Sequence, residues 1–194
     1  MGKIFCLMGK SSTGKDTIYK RILEKGLPLN TIVPYTTRPI RAGEQNGVEY
    51  FFTDEEGYRL LESQGKVVEA RAYHTFHGLW RYFTVDDGQI VEGKDYLMIA
   101  TPEAFVHLQE YFGKERVIPL LIDLDDGVRL QRALSREMKQ EHPKYEEMCR
   151  RFLADCEDFS EEKLSRAGIT RRFANNDLEE CIGQIVQYMT QFEG

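Results

Sequence analysis

Nowhere in the 194-residue chain is there an apolar run long enough to span a bilayer. A membrane-spanning helix is therefore not expected. The apolar start, Ile4 to Met8, is too short for the core of a secretory signal, and no small-residue cleavage site follows it. Position 6 is Cys6, where a myristoylation pattern needs Ser or Thr. A cytoplasmic location is the resulting expectation. The four cysteines (Cys6, Cys149, Cys156 and Cys181) contain no Cys-x-x-Cys pair and read as free, mostly buried thiols of a reducing compartment. An excess of positive charge is also missing. With 26 Lys+Arg against 32 Asp+Glu the net charge is −6, which argues against a main task of gripping a nucleic-acid backbone. Internal repeats and low-complexity tracts are lacking too.

What is present suits an ordinary α/β domain with a small inserted lobe. Hydrophobic residues at 41% and charged residues at 30% allow both a packed core and a wetted surface. Residues 3–8 read as a buried strand, and Asp16 to Lys25 as a helix with Ile18, Ile22 and Leu23 on one face and Gly26 as its stop. Short extended pieces follow at Thr31–Tyr35, Glu49–Thr53, Lys66–Tyr73 and Trp80–Val85. Thr53 and Glu56 form a capping box for a short helix through Leu60 and Leu61. Alternation then returns. Tyr96–Ala100 reads as a strand, then a helix capped by Thr101 with Pro102 at its first position, then the strand Val117–Leu124. A helix from Asp125 to about Lys139 carries Val128, Leu130, Leu134 and Met138, and a second helical pattern runs through Met148, Phe152, Cys156 and Phe159. Cys149 and Cys156, seven apart, are expected in the core. The strand Arg171–Ala174 and the helix Leu178–Phe192 complete the order, which predicts a parallel sheet covered on both faces.

Gly9-Lys10-Ser11-Ser12-Thr13-Gly14-Lys15 fits G-x-x-x-x-G-K between a strand and a helix. Glycines at both ends let successive N–H groups converge on one anion, and the helix behind adds its positive end. The residues Gly9 to Thr17 are thus the candidate ATP-phosphate site, with Lys15 as the catalytic cation. Asp16 stands where a Mg²⁺-binding Ser or Thr is usual. Three readings stay open: Asp16 holds Mg²⁺, Asp16 serves only the helix N-terminus, or Thr17 supplies the hydroxyl.

Residues 36–52 carry Thr36-Thr37-Arg38, Arg41, Gly43-Glu44, Gly47 and Tyr50-Phe51-Phe52. Two guanidiniums and a phenol between glycine turns suit a dianionic phosphate. This stretch resembles the guanylate kinase signature T-T-R-x-x-R-x-G-E-x-x-G-x-x-Y-x-F. The resemblance implies a parallel-sheet core with helices on both faces, an inserted mixed α/β lobe for a nucleoside monophosphate, and a helical lid. The expected division is core 1–33, 86–136 and 158–194, lobe 34–85 and lid 137–157. By the same resemblance, Thr37, Arg38, Arg41, Tyr50, His77 and Gly78 bind the acceptor phosphate region, Glu44 orients the arginines, and Glu69 accepts from the guanine ring edge. The chain departs from the family at Pro34 (often Ser), at His77-Gly78 (Tyr-Gly) and at Ala100, where the family strand ends in aspartates.

Arg132 and Arg136, four apart on one helix face, resemble the family's lid arginines together with Arg151, whereas Arg150 reads as a surface residue. Asn175 matches a position near the ATP base. Asp123 and Asp125 read as strand-end and N-cap residues. Trp80, Tyr82 and Phe83 suggest a packed strand, and His74 and His77 do not suggest a zinc site. The whole implies a Mg²⁺-dependent kinase transferring the ATP γ-phosphoryl to GMP or dGMP, monomeric or homodimeric, with no nucleic-acid or membrane partner. Two alternatives stay open: a kinase of ribose 1,5-bisphosphate or another phosphorylated small molecule, and a non-catalytic binding module of the same fold.

Overall fold

The computed structural model describes residues 2–41, 43–75 and 78–192. In chain order the elements are β1 (Ile4–Met8), α1 (Lys15–Glu24), β2 (Leu29–Thr31), β3 (Tyr35–Thr36), β4 (Phe51–Phe52), α2 (Glu55–Ser63), β5 (Val67–Thr75), β6 (Gly78–Val85) and β7 (Asp95–Ile99). Then come α3 (Pro102–Phe112), β8 (Val117–Asp123), α4 (Asp126–Glu137), α5 (Tyr145–Asp158), α6 (Glu161–Arg166), β9 (Arg172–Ala174) and α7 (Leu178–Thr190).

Five strands form one parallel sheet in the order β2-β7-β1-β8-β9. β1 is central, and all five of its residues are buried, so it reads as an unbroken apolar run rather than an alternating one. On one face Ile18 and Ile22 of α1 meet Cys181, Ile182, Ile185 and Met189 of α7 over Phe5 and Leu7. On the other, Ala104, Phe105 and Leu108 of α3 and Leu164 of α6 cover Ile4, Cys6 and Met8. Helix starts follow local chemistry. Thr101 accepts from the Ala104 N–H, Asp125 from Gly127 and Val128, and Asp177 from Glu180.

A second, mixed sheet has the order β4-β3-β6-β5, with its own small core of Tyr58, Phe83 and Val85. The expected extended piece Thr31–Tyr35 is divided: Pro34 lies between β2, in the parallel sheet, and β3, in the mixed one. Asp54, not Thr53, caps α2, because its carboxylate reaches the Gly57 N–H at 2.8 Å. The apolar residues expected to pack from α4 are exposed (Val128, Leu130, Leu134 and Met138); the helix buries Arg129 and Ala133 instead. Cys149 is exposed and Cys156 half-buried, since α5 has no fully buried residue, so these two do not belong to the core. No helix among the described residues is long and apolar enough to cross a membrane.

Candidate active site

The ends of β1, β7, β8 and β9 converge on the glycine loop, the place where open α/β sheets bind ligands. Gly9 is buried; a Cβ there would lie 2.8 Å from the Thr13 Oγ1 and 3.1 Å from the Ile122 carbonyl. Gly14 has φ +92°, and a Cβ would lie 2.6 Å from Asn175 Nδ2. Both positions therefore need glycine for space, and the second for its left-handed backbone as well. Ser12 is also left-handed, at φ 65°. The loop is held from within by the Thr13 hydroxyl donating to the Lys10 carbonyl at 2.9 Å. Lys10 itself turns to Asp126, at 3.2 Å.

Two residues absent from the sequence reading clamp this loop. The Asp155 carboxylate, from α5, accepts from the Ser11 N–H at 2.7 Å. Arg129, wholly buried, donates to the Ser11 carbonyl at 3.0 Å, pairs with Asp155 at 3.2 Å and with Asp126, and lies over the Phe152 ring. A loop N–H thus already holds an oxyanion, which is how a phosphate cradle behaves. Arg129 sits three residues before Arg132 and seven before Arg136, so the helical spacing of the arginines was its one sequence signal.

Around the loop stand the expected cations. Arg132 lies near Gly14, its Nη1 3.9 Å from where a Cβ would be. Arg136 donates to the Ser12 hydroxyl at 3.3 Å. Arg151 shares a small cavity with Ser11, Ser12 and Arg136 and donates to Glu147 at 2.7 Å. Arg150 also pairs with Glu147; although exposed, as expected, it lines the cleft beside Arg151. The guanidinium of Arg150, aided by that of Arg151, holds the Glu147 carboxyl down to about 2. Asp16 and Thr17 are exposed on the first turn of α1, directly after Lys15. Asn175 is not open to a base: it is buried, and its amide donates to the Thr13 carbonyl at 2.7 Å.

From the loop a cleft of about 300 Å³ runs past Lys15, Pro34, Tyr50, Arg71, Ala100 and Arg151. It adjoins a second space of about 530 Å³ that reaches Arg41, Trp80 and Tyr82. Both volumes suit a small ligand. Trp80 and Tyr82 line this space, with the Tyr82 ring packed edge-on against Tyr50 and Tyr73, while Phe83, on the opposite face of β6, is fully buried. Arg41 and Tyr50 face the cleft. Arg38 is buried behind them, with Glu44 taking its Nη1 and Nη2 at 3.0 and 2.8 Å and the Pro39 carbonyl at 2.7 Å. Its Nε is buried without a hydrogen-bond partner among the described residues. Burial works against the Arg38 charge, and Glu44 together with Tyr82 more than restores it. Arg38 in turn holds Glu44 below the usual carboxylate range, and Glu44 also accepts from the Arg41 N–H. Thr37 is tied into the sheet through Arg81. Gly78, at φ +107°, starts β6, and His77 lies outside the described residues. Glu69 is buried under Arg71, a residue not singled out in the sequence; as i and i+2 on one strand, the two share a face.

The family model for guanylate kinase matches residues 1–78. A guanylate kinase of Syntrophomonas wolfei is 36% identical over 98 residues, which is 50% of this chain and 49% of that protein. The match therefore spans about half the length of that relative. A guanylate kinase of Zymomonas mobilis is 27% identical, covering 97% of this chain and 83% of its own. The crystal structure of guanylate kinase from Anaplasma phagocytophilum superposes with a TM-score of 0.67 at 22% identity, over 98% of this chain and 85% of that one, so the fold is shared. The signature residues and the glycine loop thus lie in the part of the chain that is similar to guanylate kinases, and the two-sheet fold of the whole is that of a guanylate kinase structure.

Proposed function

We propose that this chain is an ATP-dependent kinase that moves the γ-phosphoryl of ATP to the phosphate of a nucleoside monophosphate, GMP or dGMP. One observation carries the reading: a glycine loop that already binds a carboxylate through a main-chain N–H, ringed by Lys15, Arg132, Arg136 and Arg151. Phosphoryl transfer asks little covalent chemistry of the protein and much positive charge in fixed positions. The loop N–H groups and Lys15 take the donor phosphates, while Arg41 and Tyr50 take the acceptor phosphate with Arg38 and Glu44 fixing the loop behind them. The arginines of α4 and α5 meet the charge that spreads over the migrating group. No general base is required, because the acceptor phosphate is anionic at neutral pH.

The donor set at the start of α1 fits magnesium. Mg²⁺ keeps most of its waters and needs one or two protein oxygens beside the ATP phosphates. Asp16 and Thr17, exposed on the first turn of α1, are the side-chain oxygens that would supply them. The ion, when bound, neutralises charge on the β- and γ-phosphates. We place residues 34–85 as the acceptor lobe and 137–157 as a lid whose closure excludes water.

Coupled measurement of ADP release with GMP, dGMP, AMP, UMP, CMP and ribose 1,5-bisphosphate tests this reading. Turnover confined to guanine nucleotides is expected. Turnover only with the bisphosphate, or with no acceptor at all, overturns it.

A further inference from the structure

Resting on that reading of the cleft, we propose that Arg71 recognises the acceptor base, through the adjacent O6 and N7 acceptors of a 6-oxopurine, and that Glu69 is its positioning residue. The Glu69 side chain has no exposed surface and lines neither part of the cleft. Its Oε1 accepts from the Thr84 hydroxyl at 2.8 Å and from Arg71 Nη2 at 3.3 Å, and its Oε2 from Arg71 Nε at 3.0 Å. A ring edge bringing its own N–H donors to this carboxylate would first have to pull it from under a paired guanidinium, which leaves a buried charge uncompensated.

Arg71 is the member of the pair that meets the ligand space. It borders both the loop end and the Arg41–Tyr50 end of the cleft. Glu69 takes one edge of the fork, and Thr101 Oγ1 accepts from Nη1 at 3.2 Å, so the guanidinium is fixed in plane and direction. Burial opposes its charge and the Glu69 carboxylate outweighs that, so Arg71 stays cationic. Tyr50, Tyr73, Tyr82 and Trp80 border the same space, walls suited to a flat ring rather than to a bare phosphosugar. Pro34 and Ala100, also on the cleft, have no side-chain hydrogen-bonding group. A guanidinium fork matches two neighbouring acceptors. Guanine and hypoxanthine present O6 and N7, whereas adenine places its N6 amino donor beside N7. Arg71 therefore separates 6-oxopurines from adenine without reference to the N2 amino group.

The test is kcat/KM of the full chain for GMP, IMP, 7-deaza-GMP and AMP. IMP, which lacks the N2 amino group, is expected within about threefold of GMP, while 7-deaza-GMP, which lacks the N7 acceptor, falls roughly 10- to 100-fold. In Arg71→Met the preference for GMP over 7-deaza-GMP disappears. Because that change leaves a buried carboxylate unpaired, the double variant Glu69→Gln/Arg71→Met is measured beside it and is expected to show the same loss. Glu69→Gln alone is expected to raise KM for GMP with kcat nearly unchanged, and to keep the 7-deaza-GMP penalty in reduced form. The opposite pattern, a large loss with IMP and none with 7-deaza-GMP, overturns the role of Arg71 while leaving the kinase reading intact. Failure of every purine monophosphate overturns both.

Discussion

At the scale of single residues, the site rests on two cations with different tasks. Lys15 opens α1 and lines the cleft beside the loop, where nothing else on the first turn carries positive charge. On the proposed kinase reading, Lys15→Ala removes a charge needed most in the transition state. Turnover is expected to fall by about three orders of magnitude with thermal stability nearly unchanged, as measured by coupled assay and by melting. Arg129 never reaches the cleft, yet it joins the loop carbonyl of Ser11 to Asp126 on α4 and Asp155 on α5. Arg129→Met keeps the bulk and removes the charge. The two carboxylates it leaves are partly exposed, so the loss belongs near the low end for a broken buried pair, about 2–3 kcal/mol. For a chain of this size that is a fall of roughly 5–10 °C in Tm, and scanning calorimetry reads it. A melting point within 1 °C of the parent would mean that Arg129 does not bind these segments together.

At the scale of elements, α5 is the informative helix. It lies on the loop through Asp155 and on the cleft through Arg150 and Arg151, and buries none of its residues fully. Its hold is therefore polar, and polar holds depend on pH. Glu147 has its carboxyl lowered from about 4.5 to about 2 by Arg150 and Arg151. A lowered folded pKa stabilises above the unfolded value and loses that contribution as pH falls from about 4.5 toward 2. Urea midpoints of the parent and of Glu147→Gln are expected to converge across that window and to differ most at neutral pH, by a modest amount because the pair is partly exposed. A gap that does not close on acidification would remove Glu147 from the account. How much of this was legible in the sequence follows from distance along the chain. The loop, the Thr101 and Asp125 caps and the central strand rest on neighbours a few residues apart, and they stand where the letters put them. The clamp of Asn175 on Thr13 spans 162 residues, and that of Asp155 on Ser11 spans 144, so no local pattern carries them. The α4 apolar positions misled because helical spacing marks a face without saying whether it is covered. Glu69 was placed against a ligand by resemblance alone, whereas the partner that covers it, Arg71, is two residues away on the same strand face.

At the scale of the molecule, two sheets of unequal strength share one cleft. The parallel sheet has apolar layers on both faces, while the mixed sheet rests on Tyr58, Phe83 and Val85. Phe83 is fully buried, its ring 4.9 Å from Tyr58 and 5.5 Å from Tyr35, so it ties α2, β3 and β6 together. The mixed sheet is not independent of the rest. Val68 of β5 packs on the main core, and Arg71 of β5 bonds Thr101 at the cap of α3. Phe83→Ala opens a cavity that costs about 3–5 kcal/mol, more than so small a core can absorb locally. The parallel sheet keeps its own layers. Hydrogen exchange is therefore expected to show β3, β4 and β6 losing protection, β5 losing less because α3 holds it, and β1, β7 and β8 staying near the parent values. ATP binding, read by calorimetric titration, should change little in the same variant while the acceptor KM rises at least tenfold. Loss of protection spread evenly over both sheets would show instead that the molecule unfolds as one unit, and that the two ends of the cleft cannot be weakened separately.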